Sequence, residues 1–143
     1  MPWTEEEKQA ELKRVTKISG FCVGGHAFLA EVGPDALKAR YDQWEAEHGK
    51  MSREERMQHE LIRALVYIGS GKAAHHAAIH IHVAHECGAS KEHIWYWLNK
   101  AAQWGGAPEC SHNAREAYRI VFMPDFPTVY RIVELTSDSV PDA

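Results

Sequence analysis

Hydrophobic residues return every three or four positions through most of this chain, which is the spacing of one face of an α-helix. The pattern is strongest in two stretches, behind Ser52 and behind Ser90. Its members are Met57, Leu61, Ala64, Leu65 and Ile68 in the first stretch, and Ile94, Trp97, Leu98, Ala101 and Trp104 in the second. No alternating pattern typical of β-strands recurs along the chain. The sequence therefore predicts an all-α fold.

Capping and stop signals divide this pattern into separate helices. Thr4 with Glu7 and Ser52 with Glu55 have the spacing of capping boxes, and Ser90 is a suitable cap for a further helix. Glycine or proline follows the periodic stretches, as is typical beyond a helix end. The predicted helices run from Thr4 to Gly20, over 36–47, from Ser52 to Gly69, over 73–87, from Ser90 to Gly105 and over 110–121.

Two segments do not fit a helix. Residues 21–28 are apolar but broken by two glycines, and we interpret them as an irregular stretch packed on the core or leading to a site. The run 128–133 follows two prolines and predicts a short strand or an extended arm on a neighbouring subunit. We therefore predict a single domain over 1–143, with an N-terminal helix and Gly-broken segment at 1–33 and a C-terminal arm and frayed tail at 123–143.

Composition and charge argue against several classes of function. The chain has 143 residues, of which 45% are hydrophobic and 25% charged, and its net charge is −4. A nucleic-acid-binding domain normally carries a basic patch or a high pI, so we expect no nucleic-acid partner. No apolar run reaches the ~20 residues of a membrane helix, and the acidic first residues do not form a secretory signal. Three widely spaced cysteines form neither a disulfide framework nor a CxxC pair, so we expect a cytoplasmic protein.

Histidine is the unusual feature, because five of the ten histidines lie between His75 and His85. On a helical wheel at about 100° per residue, His76 and His80 fall in the middle of the apolar stripe of this helix. The other three, His75, His82 and His85, fall on the opposite side. A buried polar side chain without a partner costs about 1–3 kcal/mol. The His76 and His80 pair therefore needs either a structural or a chemical role.

Three interpretations of this pair stay open. The histidines are hydrogen-bonded core residues, or they perform acid–base chemistry because histidine titrates near neutral pH. In the third interpretation they bind a divalent metal with Glu60 or Cys87 as a third ligand, although the HExxH motif of metallohydrolases is absent. Glu60 lies near the edge of the apolar stripe of the preceding helix and is the natural partner for a buried histidine. Its alternatives are a solvated position or a salt bridge to Arg56 or Arg63.

Four short segments occur in a recognisable order and spacing. They are residues 60–62 (ELI), 80–84 (HIHVA), 88–94 (GASKEHI) and 104–108 (WGGAP). Together they resemble the carboxymuconolactone decarboxylase and alkylhydroperoxidase D-like superfamily. The resemblance implies a family core at 34–122. It also implies an antiparallel helical bundle that assembles as a homo-oligomer, a trimer or a hexamer, with sites near the subunit interfaces.

The resemblance favours one branch of this superfamily. The peroxidase branch carries a C-x-x-C-x-x-x-H motif, and counting back from His80 places Ala73 and His76 at its two cysteine positions. Reduction of a peroxide by a dithiol needs both sulfurs, so we expect no peroxidase activity. The decarboxylase branch uses no metal or organic cofactor and acts on 4-carboxymuconolactone. The resemblance therefore implies a cofactor-free lyase or isomerase acting on a small unsaturated lactone or an aromatic-derived carboxylic acid.

The same resemblance suggests roles for particular residues. His80 and His76 would supply the acid and the contact to the anion, and Glu60 would orient one of them. Aromatic side chains would form the apolar walls of the site: Phe21, Phe28, Trp97 and Trp104. Two alternatives stay open. One is a metal-dependent lyase or hydrolase with a divalent metal at His76 and His80, and the other is a non-catalytic helical oligomer that binds a metabolite.

Overall fold

The structure of the chain is a computed structural model, and it describes residues 2–19, 21–22, 24–122 and 134–135. These residues form seven α-helices and one antiparallel pair of two-residue strands, so the all-α prediction is confirmed. The helices are α1 (Glu5–Ser19), α2 (Gly24–Val32), α3 (Pro34–His48), α4 (Arg53–Gly69), α5 (Ala74–Glu86), α6 (Lys91–Gly105) and α7 (Pro108–Phe122). The strands are β1 (Phe21–Cys22) and β2 (Glu134–Leu135). No helix among these residues is long and apolar enough to cross a membrane.

The predicted helix starts are confirmed by side-chain hydrogen bonds. The backbone N–H of Glu7 donates to the hydroxyl of Thr4 over 3.1 Å, and the backbone N–H of Thr4 donates back to the Glu7 carboxylate over 2.7 Å. Ser52 and Glu55 make the same reciprocal pair at the start of α4. The hydroxyl of Ser90 accepts a hydrogen bond from the first turn of α6. Each cap satisfies a backbone donor that has no partner inside its helix.

The described residues of the segment 21–28 have regular structure, which corrects the prediction. Residues 21–22 form β1, residues 24–32 form helix α2, and the two glycines that suggested a break lie in the first turn of α2. Glycine costs a helix roughly 1 kcal/mol relative to alanine, but packing of an apolar helix against its neighbours outweighs such a propensity. Helix α2 packs against both α1 and α3, which supplies that stabilisation. Helix α7 also begins earlier than predicted, at Pro108, because proline suits the first turn of a helix.

The predicted arm and tail lie almost wholly outside the described residues. Of the range 123–143, the structure describes only 134–135, which form β2. Strand β2 pairs with β1, with Phe21 opposite Leu135 and Cys22 opposite Glu134. The run 128–133, predicted as a strand or an arm, therefore stays a prediction.

The described residues up to Met51, together with β2, form one compact unit, which we call the N-terminal unit. Its helices are α1, α2 and α3, each of which packs against the other two. The core consists of buried apolar side chains from all three helices: Val15, Ile18, Ala30, Leu37 and Tyr41. The partly buried Leu12, Leu29 and Trp44 pack around this core.

The described residues from Ser52 to Phe122 form a second compact unit, which we call the C-terminal unit. Helix α5 packs against both α4 and α7, and α6 packs against α4 and α7. Four alanines of α5 are buried, namely Ala74, Ala77, Ala78 and Ala84, and such small side chains let neighbouring helices approach closely.

The boundary between the two units differs from the predicted boundary of the family core. The core at 34–122 would place α3 with α4 to α7, whereas α3 packs with α1 and α2 in the N-terminal unit. The difference arises because buried side chains of α3, Leu37 and Tyr41, complete the N-terminal core. The single domain over 1–143, the antiparallel bundle and the oligomer stay predictions.

Candidate functional site

The candidate site lies where α4 meets α5 inside the C-terminal unit. Glu60 on α4 has 2% of its surface exposed and His80 on α5 has 7%. The Glu60 Oε2 atom lies 2.5 Å from His80 Nδ1, which is a hydrogen-bond distance. The structure therefore brings together two of the three residues predicted to carry the chemistry.

Arg56 completes this cluster from one helical turn earlier on α4. Its Nε atom lies 3.0 Å from Glu60 Oε1, and both side chains are 2% exposed. The salt bridge to Arg56 was one alternative for Glu60, and the structure contains it together with the histidine contact. What the sequence did not indicate is the full burial of Arg56. The spacing of four residues was the available signal, since it places two side chains on the same face of a helix.

The charges of the cluster keep Glu60 ionised. Burial acts to raise the pKa of the Glu60 carboxyl, but the hydrogen bond and charge of His80 and the charges of Arg56 and Arg63 outweigh it. The net result is a pKa below the ordinary value for glutamate. Burial lowers the pKa of Arg56, and the negative charge of Glu60 opposes that change. An arginine side chain nevertheless stays protonated in proteins. The cluster thus contains a buried carboxylate between a guanidinium and an imidazole.

This arrangement determines which nitrogen of His80 carries the hydrogen. An ionised carboxylate only accepts hydrogen bonds, so the Nδ1–H of His80 is the donor to Glu60 Oε2. In the neutral imidazole, Nε2 then holds the lone pair and is the basic nitrogen. A histidine oriented in this way is suited to accept and return a proton.

Tyr67 is a neighbour of the histidines and was not among the predicted site residues. It lies on α4, seven residues beyond Glu60 and therefore on the same side of that helix. Its ring centroid is 5.5 Å from that of His80 and 5.9 Å from that of His76. The half-buried phenol ring thus lies within ring-contact distance of both histidines. The signal for this position was the helical spacing from Glu60.

His76 is exposed, which corrects the prediction that it lies in the middle of a buried stripe. It occupies the first turn of α5, directly after the exposed residues Lys72 and Ala73, so this end of the helix is at the surface. Its ring stacks near that of His75, with centroids 4.4 Å apart. Partial burial lowers the pKa of His76, and the charges of His75, His80 and Lys72 lower it further. The helical wheel failed here because it contains no information on where the neighbouring helices end.

Among the residues that the structure describes, the metal alternative lacks a complete ligand set. In the described part of the chain, neither Glu60 nor Cys87 joins His76 and His80 in a cluster whose ligand atoms lie close enough to share one ion. Glu60 instead contacts Nδ1 of His80, one of the two atoms that the imidazole could offer to a metal. Cys87 is buried, and burial raises the pKa of its thiol despite the opposing charges of Arg56 and Arg53. A raised pKa disfavours the thiolate that binds metals.

The predicted aromatic walls are distributed over both units. Phe28 belongs to α2 in the N-terminal unit and is 64% exposed. The side chain of Phe21 lies outside the described part of the structure. Trp97 and Trp104 belong to α6 in the C-terminal unit, where their indole rings meet edge to face with centroids 6.3 Å apart. Their role as substrate contacts stays a prediction.

The two tryptophans line an apolar groove of about 310 Å³ between α4 and α6. The other lining residues are Ile62, Leu65, Val66, Gly69, Ala101 and Gly105. Around α4, Ile62 and Val66 lie about 200° and 240° from Glu60. The groove is therefore on the opposite side of α4 from the Glu60 and His80 pair.

Comparisons of this chain with protein-family models, with curated proteins and with solved structures find no match. The geometry of the site therefore stands as the basis for a functional proposal.

Proposed function

We propose that this protein is a cofactor-free enzyme in which His80 performs acid–base chemistry and Glu60 orients it. The observation that carries the proposal is the buried contact between Glu60 Oε2 and His80 Nδ1 at 2.5 Å. Replacing a whole buried ion pair or triad by apolar side chains of similar volume is often neutral or stabilising. Packing alone therefore does not call for a glutamate and a histidine at these positions. Acid–base chemistry does, because it needs a histidine of fixed orientation and tautomer.

The proposed mechanism uses the two ring nitrogens differently. Nδ1–H donates to Glu60, and Nε2 takes a proton from a carbon atom of the substrate. The carboxylate of Glu60 then stabilises the imidazolium that forms. The imidazolium returns its proton to a carbon atom of the product, which restores the neutral histidine. Transfer between two carbons of one molecule gives an isomerisation.

We propose a small unsaturated lactone or an aromatic-derived carboxylic acid as the substrate, with a lyase or isomerase reaction. In a decarboxylation, the bond from carbon to the carboxylate breaks, and its electron pair passes into the conjugated system. Carbon dioxide leaves, and the resulting carbanion takes a proton from His80, which has first accepted that proton from water at Nε2 and ends as the neutral imidazole. Two observations support an anionic substrate. They are the family resemblance and the positive or titratable side chains of Lys72, His75 and His76 at the start of α5.

The same proposal includes a homo-oligomer, a trimer or a hexamer, in the cytoplasm. The exposed apolar groove between α4 and α6 supports association, because patches of this kind often mark interaction sites. Peroxidase activity is not proposed, because Ala73 and His76 occupy the positions of the two thiols.

The test is turnover of a panel of muconolactone-like acids by the purified full chain, followed by the loss of ultraviolet absorbance and the release of carbon dioxide. We expect His80→Gln to lower the rate by about 10²–10⁴-fold, which is the usual contribution of a general acid or base. His112→Gln is the matched control, since His112 is exposed on α7. Full activity of folded His80→Gln would refute the proposal.

A non-catalytic metabolite-binding protein is the second candidate, and the groove lined by Trp97 and Trp104 is the observation that favours it. A groove of about 310 Å³ lies at the small end of the usual range for ligand sites, and aromatic lining is typical of such sites. In this case Trp104→Ala abolishes binding of an aromatic acid, whereas His80→Gln leaves it unchanged. Isothermal titration of both variants with the same acid separates the two candidates.

A further inference from the structure

We propose that Arg56 is a positioning residue, whose buried charge keeps Glu60 ionised and thereby fixes the hydrogen of His80 on Nδ1. The proposal rests on the proposed function, since it concerns the same histidine. It goes further by assigning the tautomer of that histidine to a side chain that contacts its carboxylate partner.

The geometry places one partner at each oxygen of the Glu60 carboxylate. Arg56 Nε lies 3.0 Å from Oε1, and His80 Nδ1 lies 2.5 Å from Oε2. Two contacts on different oxygens fix the plane of the carboxylate group. Rotation of the carboxylate would break both contacts together, so Arg56 restrains the oxygen that His80 uses.

The charge of Arg56 adds to the effect of His80 in favouring the carboxylate form of Glu60 over the carboxylic acid. Burial by itself raises the pKa of a carboxyl group, because it disfavours the charged form. At Glu60 this tendency is overcome by His80, Arg56 and Arg63 together. Arg56 is in contact with the carboxylate and is fully buried. Its interaction with Glu60 is therefore only weakly screened by water.

The protonation state of Glu60 in turn decides the tautomer of His80. A carboxylate accepts a hydrogen bond, which requires a hydrogen on Nδ1. A carboxylic acid can donate instead, so that Nδ1 becomes the acceptor and the hydrogen moves to Nε2. In that second state Nε2 has no lone pair with which to take a proton. Loss of the positive charge at position 56 thus leaves a hydrogen on Nε2 of His80, so this nitrogen can no longer act as the base.

Arg53 provides a matched control on the same helix. Its side chain donates to the backbone carbonyls of Glu86 over 2.9 Å and Cys87 over 3.3 Å, so it links α4 to the end of α5. Arg56 instead contacts Glu60 on α4 itself. We therefore expect the loss of Arg56, and not the loss of Arg53, to change the tautomer of His80.

The experiment measures the tautomer of His80 by NMR in the full chain labelled with ¹⁵N-histidine. Spectra that connect ring nitrogens to ring hydrogens distinguish Nδ1–H from Nε2–H, and His80→Gln identifies the signal. At about pH 8, above the ordinary pKa of histidine, we expect Nδ1–H in the wild type and in Arg53→Gln. We expect Arg56→Lys to retain it, because the charge is kept. Arg56→Gln should shift His80 to Nε2–H or to a mixture of both forms.

An unchanged Nδ1–H signal in folded Arg56→Gln would overturn the proposal, as would loss of that signal in folded Arg56→Lys. If Arg56→Gln does not fold, Arg56→Met replaces it, because methionine is uncharged and adapts well to a buried position. The prediction for this variant is the same shift to Nε2–H.

The NMR measurement needs no substrate, so its result tests the role of Arg56 separately from the proposed function. A wild type with the expected tautomers but no turnover of any acid would refute the function alone. Where turnover is found, Arg56→Gln should lower kcat with little change in KM, by a factor similar to that of Glu60→Gln. Equal kcat in Arg56→Gln and in the wild type would count against the positioning role and leave the proposed function standing.

Discussion

His26 and His80 are both buried, one in each unit, and their partners differ in charge. His26 in the N-terminal unit has its Nε2 atom 2.7 Å from the hydroxyl of Tyr41. His80 in the C-terminal unit has its Nδ1 atom 2.5 Å from the carboxylate of Glu60. A phenol is neutral at pH 7, whereas the carboxylate carries a full negative charge. Each unit therefore contains a buried histidine, but one has a neutral partner and the other has a negatively charged partner.

The difference shows how burial and partner together decide what a histidine can do. Burial lowers the pKa of His26 to about 4, with the positive charge of Arg40 adding to the effect. This histidine is neutral throughout the physiological range, and its ring packs edge to face against Tyr41 with centroids 5.5 Å apart. A neutral partner thus suits a structural histidine. A carboxylate partner stabilises the charged form as well, which is what acid–base chemistry requires.

The largest expected effect comes from removing the charge beside His80. Glu60→Leu leaves the buried guanidinium of Arg56 without its carboxylate partner. Breaking a buried ion pair in this way typically costs about 3–5 kcal/mol. We expect the free energy of unfolding, measured by urea denaturation at pH 7, to fall by this amount.

The double variant Arg56→Met with Glu60→Leu is the control for this prediction. It removes both charges, and apolar replacements of buried ion pairs are often neutral or stabilising. We expect most of the lost stability to return, while His80 no longer has its carboxylate acceptor. A cost of Glu60→Leu below about 1 kcal/mol, the usual worth of an exposed pair, would contradict the burial of these charges.

The second prediction concerns the pH dependence that His26 confers. Its pKa in the folded protein is about 4, and its ordinary value is 6.5, so the unfolded chain binds the proton first as the pH falls. The folded state therefore loses stability between pH 6.5 and about 4, and the contribution of His26 is fully present above pH 6.5. The loss reaches at most about 3 kcal/mol.

His26→Gln tests this prediction, because glutamine does not titrate and its amide can still hydrogen-bond to Tyr41. We expect the variant to lose less stability than the wild type between pH 7 and pH 5, measured by urea denaturation. The comparison between the two proteins removes the contributions of the other histidines. Equal losses in both would show that His26 titrates at its ordinary pKa in the folded state.

The elements that the sequence predicted well depend on local chemistry. The starts of α1, α4 and α6 were predicted from capping residues, each of which bonds to a residue three positions later. The structure contains those hydrogen bonds. The Glu60 and His80 pair was found in a similar way, since a polar residue near an apolar stripe needs a partner. Periodicity placed His80 in the middle of one apolar stripe and Glu60 near the edge of another.

The elements that the sequence did not predict depend on contacts between distant segments. Helix α2 contains two glycines in its first turn, and only its packing on α1 and α3 explains why it forms. His76 looked equivalent to His80 on the wheel, yet it lies at the exposed end of α5. The burial of Arg56 depends likewise on what covers α4. None of these properties can be read from one helix considered separately.

The smallest expected effect comes from the two capping boxes, one in each unit. Thr4→Ala and Ser52→Ala each remove a side chain that accepts a hydrogen bond from the third residue of its helix. The loss of such a cap costs about 1 kcal/mol. Both variants should therefore lower the free energy of unfolding by a similar small amount, measured by urea denaturation.

A variant of the α4 cap can also show whether local helix stability affects the chemistry of the site. Ser52 begins the helix that carries Glu60, but the Arg56 and Glu60 contacts lie one and two turns further along. Fraying of a first turn does not reach that far when the following turns are held by tertiary packing. We expect Ser52→Ala to leave His80 with its hydrogen on Nδ1 in the NMR experiment. A shifted tautomer in this variant would mean that the Glu60 and His80 pair depends on the helix end, and that Arg56 does not hold it alone.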